Sequence, residues 1–168
     1  ATLRLSATGL TGAGTGVNAS NYIYDHNSVL EYTLSLAFST AGVTYFPNAV
    51  PGVIPIFRTT SNIGIVGSNS TTTFNGLFEA NGNIIFGNSG DKIFRNGISG
   101  TGNIDGSASG KFIINGTSAI LGGTGNLTVP AVAGMDIGTG PSCSVALNAN
   151  KTITNNIIGM PFIIFSSC

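Results

Sequence analysis

Leu30, Tyr32, Leu34, Leu36 and Phe38 alternate with Glu31, Thr33, Ser35, Ala37 and Ser39. Five apolar residues at strict period two predict a single strand over 30–39. Its even-numbered side chains should face a core, with Glu31, Thr33 and Ser35 turned outward. A helix would scatter the same residues around its circumference. Shorter runs of strand character follow at 21–24, 43–46, 54–59, 63–66, 71–74, 83–86 and 92–94. Later ones lie at 111–114, 126–129, 144–147, 151–154 and 162–165. Almost nothing reads as helix. Many short strands divided by turn residues predict an all-β chain, sandwich or barrel.

The turn residues agree. Asn-Gly occurs at Asn75-Gly76, Asn81-Gly82, Asn96-Gly97 and Asn115-Gly116. Both residue types tolerate positive φ, which the tight turns of antiparallel hairpins require. Pro47, Pro51 and Pro55 mark residues 47–55 as a loop or a sheet edge, because proline cannot donate to a ladder. These signals favour an antiparallel β-sandwich, of jelly-roll or Ig-like, pilin-like form, with a tethered N-terminal strand.

A second pattern runs through the middle of the chain. Gly82-Asn83-Ile84, Gly102-Asn103-Ile104 and Gly125-Asn126-Leu127 recur at intervals of 20 and 23 residues. A period near 20 matches one coil of a parallel β-helix. The alternative architecture is therefore a partial parallel β-helix in residues 80–130. Successive Gly-Asn hairpin turns in a sandwich would produce the same recurrence.

The N-terminus has its own organisation. Leu3, Leu5 and Ala7 alternate with Thr2, Arg4 and Ser6, and four glycines follow at Gly9, Gly12, Gly14 and Gly16. Residues 1–16 read as a short strand on a glycine-rich tether, and residues 17–168 as a single β domain. A tethered strand can pair with its own sheet. It can also add to the sheet edge of a neighbour, as in donor-strand complementation of pilus subunits, and head-to-tail exchange of that kind makes open filaments. In the second case Leu3, Leu5 and Ala7 join the subunits.

Charge narrows the setting. Six basic and six acidic residues give 7 % charge and no net charge, against about a quarter charged in a typical domain. The hydrophobic share of 42 % supports a core. No basic cluster is present to bind nucleic acid, and no polybasic run beside an apolar stretch is present to bind a membrane surface. The longest apolar stretch, 157–165, is interrupted by Gly159 and Pro161 and is too short to span a bilayer, so no transmembrane segment is expected. A start at Ala1 fits removal of a signal peptide after a small residue, and equally a trimmed chain. In an oxidising compartment Cys143 and Cys168 would form a disulfide, closing a loop of about 25 residues. Sequons at Asn18, Asn69, Asn115, Asn126 and Asn150 are candidate glycosylation sites, at about the number chance would supply.

Catalytic chemistry finds little support, and no enzyme, cofactor or metal site is expected. His26 is the single histidine, beside Asp25 and near Ser28, but a triad needs convergence in space that an extended chain rarely gives to sequence neighbours. No Gly-x-Ser-x-Gly elbow and no phosphate loop is present. Zinc would need about four ligands from one His and two Cys. Among six scattered carboxylates, Asp91 or Asp105 with neighbouring asparagines offers the best cradle for a weakly held cation in a solenoid turn. Two carboxylates would suffice for a glycosidase, but the chain has no Trp to stack a sugar and four Tyr.

The favoured reading is a structural subunit of an extracellular filament, a pilus-like or surface fibre, polymerising with itself through the N-terminal arm. The alternative is a secreted adhesin or lectin-like binding module, or a phage or virion fibre protein, with surface glycans or other cell-surface components as partners. A small secreted hydrolase is a third reading with no motif behind it.

Overall fold

The computed structural model describes residues 2–5, 28–39, 56–66, 71–137, 145–148, 152–154, 157–158 and 163–165. All regular structure among them is strand. In chain order the strands are β1 (Thr2–Leu5), β2 (Val29–Tyr32), β3 (Leu36–Ser39), β4 (Ile56–Thr59), β5 (Ile63–Val66) and β6 (Thr72–Phe74). Next come β7 (Phe78–Ala80), β8 (Ile84–Phe86), β9 (Lys92–Phe94), β10 (Gly97–Ser99), β11 (Ile104–Asp105) and β12 (Phe112–Ile114). The last are β13 (Ala119–Gly122), β14 (Leu127–Thr128), β15 (Met135–Ile137), β16 (Val145–Asn148), β17 (Ile153–Thr154), β18 (Ile157–Ile158) and β19 (Ile163–Phe165).

These strands build a β-solenoid. Four successive coils, over 56–137, each give one strand to each of three sheets, and strands before and after extend the stack. The first sheet runs β1-β2-β4-β7-β10-β13-β16-β19, the second β3-β5-β8-β11-β14-β17, and the third β6-β9-β12-β15-β18. Every strand pairs in parallel with its counterpart one coil away. Stacked positions are 21, 20 and 23 residues apart along the Gly-Asn corners.

The core is a set of columns, because parallel register places like upon like. Leu30, Phe57, Phe78, Ile98 and Leu121 stack from the first sheet, and Ile63, Ile84, Ile104 and Leu127 from the second, all buried. The third sheet adds Phe74, Phe94, Ile114 and Ile137. Phe57 lies on Phe78 with centroids 5.0 Å apart, and Phe74 on Phe94 at 5.2 Å, the ring planes of each pair nearly parallel. Phe74 and Phe78 meet edge to face at 4.6 Å and tie the two stacks together. Each buried side chain contributes about 1.5–3 kcal/mol by apolar transfer.

The antiparallel sandwich is thus overturned. A sandwich pairs chain neighbours through hairpins, whereas here each strand bonds to the strand one coil away in parallel. The Asn-Gly pairs are not hairpin turns. They mark corners where the chain passes from one sheet to the next: Asn75-Gly76 leads from β6 to β7, Asn81-Gly82 from β7 to β8, Asn96-Gly97 into β10 and Asn115-Gly116 from β12 to β13. The alternative of a parallel β-helix over 80–130 fits, and the sheets carry it well beyond both limits.

The long strand over 30–39 is also corrected. It is two strands in different sheets, with a corner at Thr33-Leu34-Ser35. Leu30 and Tyr32 enter the core, while Leu34 sits on the corner and is 50 % exposed. Period two is preserved through the corner by chance, so alternation alone does not reveal the bend. Glu31 points away from the core side of β2, yet it is only 6 % exposed. Residues 21–24 and 43–55 lie outside the described residues.

Glycine at the corners is a packing requirement. A Cβ at Gly102 would overlap the carbonyl oxygen of Gly82, and one at Gly125 that of Gly102. The corner backbones stack too closely for any side chain between them.

Candidate functional site

The first sheet carries a stripe of alternating charge. Leu30 and Tyr32 face the core, so the intervening Glu31 faces outward by the pleat. Parallel register then lines up Arg4, Glu31, Arg58 and Glu79 on four adjacent strands. Arg4 Nε–H donates to Glu31 Oε2 at 2.6 Å, and Arg58 Nε–H donates to Glu79 Oε2. Arg58 is held above its usual range, chiefly by the hydrogen bond to Glu79, with burial opposing and the Glu79 and Glu31 charges adding to the rise. Four of the chain's few charges therefore form one ordered row.

The stripe begins on β1. Leu3 and Leu5, expected to join subunits, lie in this strand with Leu30 and Tyr32 as register partners in the same chain. Arg4 between them has a side chain 68 % exposed, while the Glu31 side chain that it meets is 8 % exposed. β1 is thus an edge strand whose single ion pair reaches a nearly covered carboxylate. Ala7 and the glycine tether lie outside the described residues.

A second row follows the corner between the first and second sheets. Asn83 N–H donates to Asn62 Oδ1 at 3.0 Å, Asn103 N–H to Asn83 Oδ1 at 3.0 Å, and Asn126 N–H to Asn103 Oδ1 at 2.9 Å. Each side chain satisfies the backbone donor of the next coil, which a sheet corner would otherwise leave to water. The row is exposed, with Thr60, Asn81, Thr101 and Thr124 exposed beside it. The sequence recurrence of Gly-Asn is this row: glycine for the close approach, asparagine for the bond.

The third sheet contains the one basic side chain buried among the described residues. Lys92 stands in the inward column between Thr72 and Phe112 and is 0 % exposed. Its ammonium donates to the Gly90 carbonyl and lies 5.8 Å from the Phe86 ring centroid. Burial pushes its pKa down to about 8, with the Asp91 charge acting the other way.

The remaining candidates fall apart as a site. Asp91 Oδ1 accepts the Lys111 backbone N–H of the next coil at 2.8 Å, and Asp105 Oδ1 accepts that of Ser107 at 2.9 Å, so the first ties two coils together and the second braces its own turn. Lys111 Nζ pairs with Asp136 at 3.0 Å. No cluster of three or more His, Cys, Asp or Glu exists among the described residues. Among the sequons, Asn126 is exposed in the asparagine row and Asn115 is half-buried at a corner. His26, Asn18, Asn69, Asn150, Cys143 and Cys168 lie outside the described residues. No helix among the described residues is long and apolar enough to cross a membrane.

Sequence reasoning missed the charge stripe and Lys92. The stripe had a signal, opposite charges recurring at about one coil length, but that signal is visible only once the coil is known. Lys92 had none, because a lysine opening a short strand looks like an exposed end. Comparison with family models, curated proteins and solved structures found no match to this chain.

Proposed function

We propose that the chain is a structural subunit of an extracellular fibre, a rod segment that joins copies of itself end to end. The observation behind this reading is the direction of its hydrogen bonds. In a solenoid the ladders run along the stack, and the first sheet ends on β1 at one end and β19 at the other. Parallel edges of that kind accept a further strand without a change of geometry. The interior of the described coils is packed mainly with Phe, Ile and Leu, with Thr59, Thr72 and Lys92 as its buried polar exceptions on the inward columns, and that packing suits stiffness. Scarcity of charge supports the same reading, since a polymerising subunit needs few groups that hold copies apart.

Imaging the purified full chain in negative stain across a concentration series tests the reading. Unbranched rods of uniform width are expected, growing in length with concentration. Monodisperse single particles at every concentration would refute it.

A second reading, a secreted adhesin or lectin-like module or a phage or virion fibre protein, draws on one specific feature. The asparagine row presents side-chain amides at a repeat of about 4.8 Å, with threonine hydroxyls beside them. That array could donate and accept hydrogen bonds with a sugar chain. Retention on immobilised surface glycans, lost in an Asn83→Ala, Asn103→Ala double variant, would favour it.

A further inference from the structure

We infer that β1 is an exchangeable strand, and that the Arg4–Glu31 ion pair matches it to the β2 edge of a second copy of this chain. The inference rests on the fibre reading and names the surface that joins its subunits.

Three features carry it. First, β1 lies at the end of its sheet and, among the described strands, pairs with β2 alone. Second, Arg4 and Glu31 are 27 residues apart in sequence, and the stretch between them contains Gly9, Gly12, Gly14 and Gly16. A chain of that length spans far more than the roughly 4.8 Å between paired strands, so β1 is not bound to its own β2 by a short connection. Third, the contact is chemically selective. An exposed guanidinium on the strand meets a nearly covered carboxylate on the edge that receives it.

Exchange conserves the strand register and the Arg4–Glu31 pair. The parallel register, Thr2 on Val29 through Leu5 on Tyr32, is the same whether β1 comes from the same chain or a neighbour. Intramolecular pairing therefore describes the lone chain, and mass action moves the strand to a neighbour as concentration rises. Glu31 selects the incoming strand, because a strand lacking a cation opposite it would leave that carboxylate facing no charge beyond Arg58.

Charge reversal tests the inference. Arg4→Glu and Glu31→Arg full-length chains are each compared with wild type by sedimentation. Each variant alone opposes like charges at the joint and should lose the high-mass species. An equimolar mixture restores opposite charges at every joint between unlike chains and should recover them, with both variants in every assembly. A mixture that stays as dissociated as its components overturns strand exchange. Single variants that associate like wild type also overturn it, while leaving the fibre reading intact. A wild-type chain that never associates overturns the fibre reading itself.

A second measurement holds even if the charge variants fold poorly. Thr2→Cys and Val29→Cys are placed together in a Cys143→Ser, Cys168→Ser background. Register partners about 4.8 Å apart lie within disulfide reach. Exchange predicts a ladder of covalent multimers on oxidation, growing with concentration. A cross-link confined to the monomer at all concentrations refutes it.

Discussion

Arg58 on β4 and Glu79 on β7 stand opposite each other in parallel register, and the Arg58 Nε–H donates to the Glu79 carboxylate. Neither is fully exposed: their side chains retain 32 % and 22 %. Glu31 stands opposite Arg58 on the other side. One arginine thus separates two carboxylates on the outer face of the sheet.

Arg58→Glu places three carboxylates on adjacent strands. Directly opposed like charges are destabilising, and the expected cost is about 1–2 kcal/mol. Raising the salt concentration should recover part of it by screening. Denaturant unfolding at low and high salt checks both statements. The double variant Arg58→Glu, Glu79→Arg should be more stable than Arg58→Glu alone, since it rebuilds one of the two contacts.

The corner glycine at 102 makes a sharper test of the fold. Gly102→Ala puts a methyl group into the carbonyl of Gly82, and a backbone carbonyl cannot swing aside as a side chain can. The two coils must separate locally, so a loss of several kcal/mol is expected. Thr101→Ala, next to it and exposed, should be nearly neutral. Similar melting temperatures for the two variants would contradict the close stacking of the corners.

Asn103 should distinguish a hydrogen-bonding role from mere turn preference. Asn103→Ala removes the acceptor for the Asn126 N–H and should cost about 0.5–1.5 kcal/mol. Asn103→Asp keeps that acceptor and should retain most of the stability at neutral pH. Thermal melts of the two variants beside wild type read the difference. If the aspartate variant falls as far as the alanine one, the side chain serves the turn and not the row.

How much of this was legible in the sequence depends on what each signal encodes. Strand content was readable, because Ile63, Ile65, Phe112 and Ile114 alternate with partly exposed neighbours. Parallel or antiparallel pairing was not. A three-residue strand such as β9 buries Lys92 and Phe94 on one face whichever way its neighbours run. The first sheet was hardest: β7, β10 and β13 gave no strand signal, since Phe78-Glu79-Ala80 and Gly97-Ile98-Ser99 are too short and too rich in small residues. The Gly-Asn recurrence did carry the architecture. Its meaning was ambiguous because glycine and asparagine suit a tight hairpin and a stacked corner for the same conformational reason. Leu34 shows the opposite error, where an unbroken alternation ran through a bend.

Phe78 sits where the aromatic stacks meet, in contact with Phe57, Phe74, Phe86 and Phe94. Phe78→Ala should cost about 3–5 kcal/mol, since rigid parallel columns above and below limit collapse into the cavity. Phe78→Leu should cost clearly less. Leu34→Ala, by contrast, should cost little, because that side chain is half in solvent. Chemical denaturation of the three variants gives the ranking, and a Leu34→Ala loss as large as that of Phe78→Ala would place Leu34 in the core after all.

Lys92 gives the last prediction, and its sign follows from linkage. An exposed lysine titrates near 10.5, while burial brings Lys92 in the folded chain down to about 8. Between these values the unfolded chain holds the proton and the folded chain has released it, so stability rises with pH across about 8 to 10.5. Below about 8 both states are protonated, and the full cost of burying an ammonium among Phe86, Phe112 and Thr72 is present. Lys92→Met removes both the titration and the buried charge while keeping an unbranched chain of similar length. It should raise stability at pH 7 by on the order of 1–3 kcal/mol and flatten the rise above pH 8. Unfolding of wild type and variant from pH 6 to pH 10.5 measures both. A wild-type profile that is level across that range, or a variant less stable at pH 7, would mean that the ammonium finds enough compensation at the Gly90 carbonyl and the Phe86 ring to remain charged in the core.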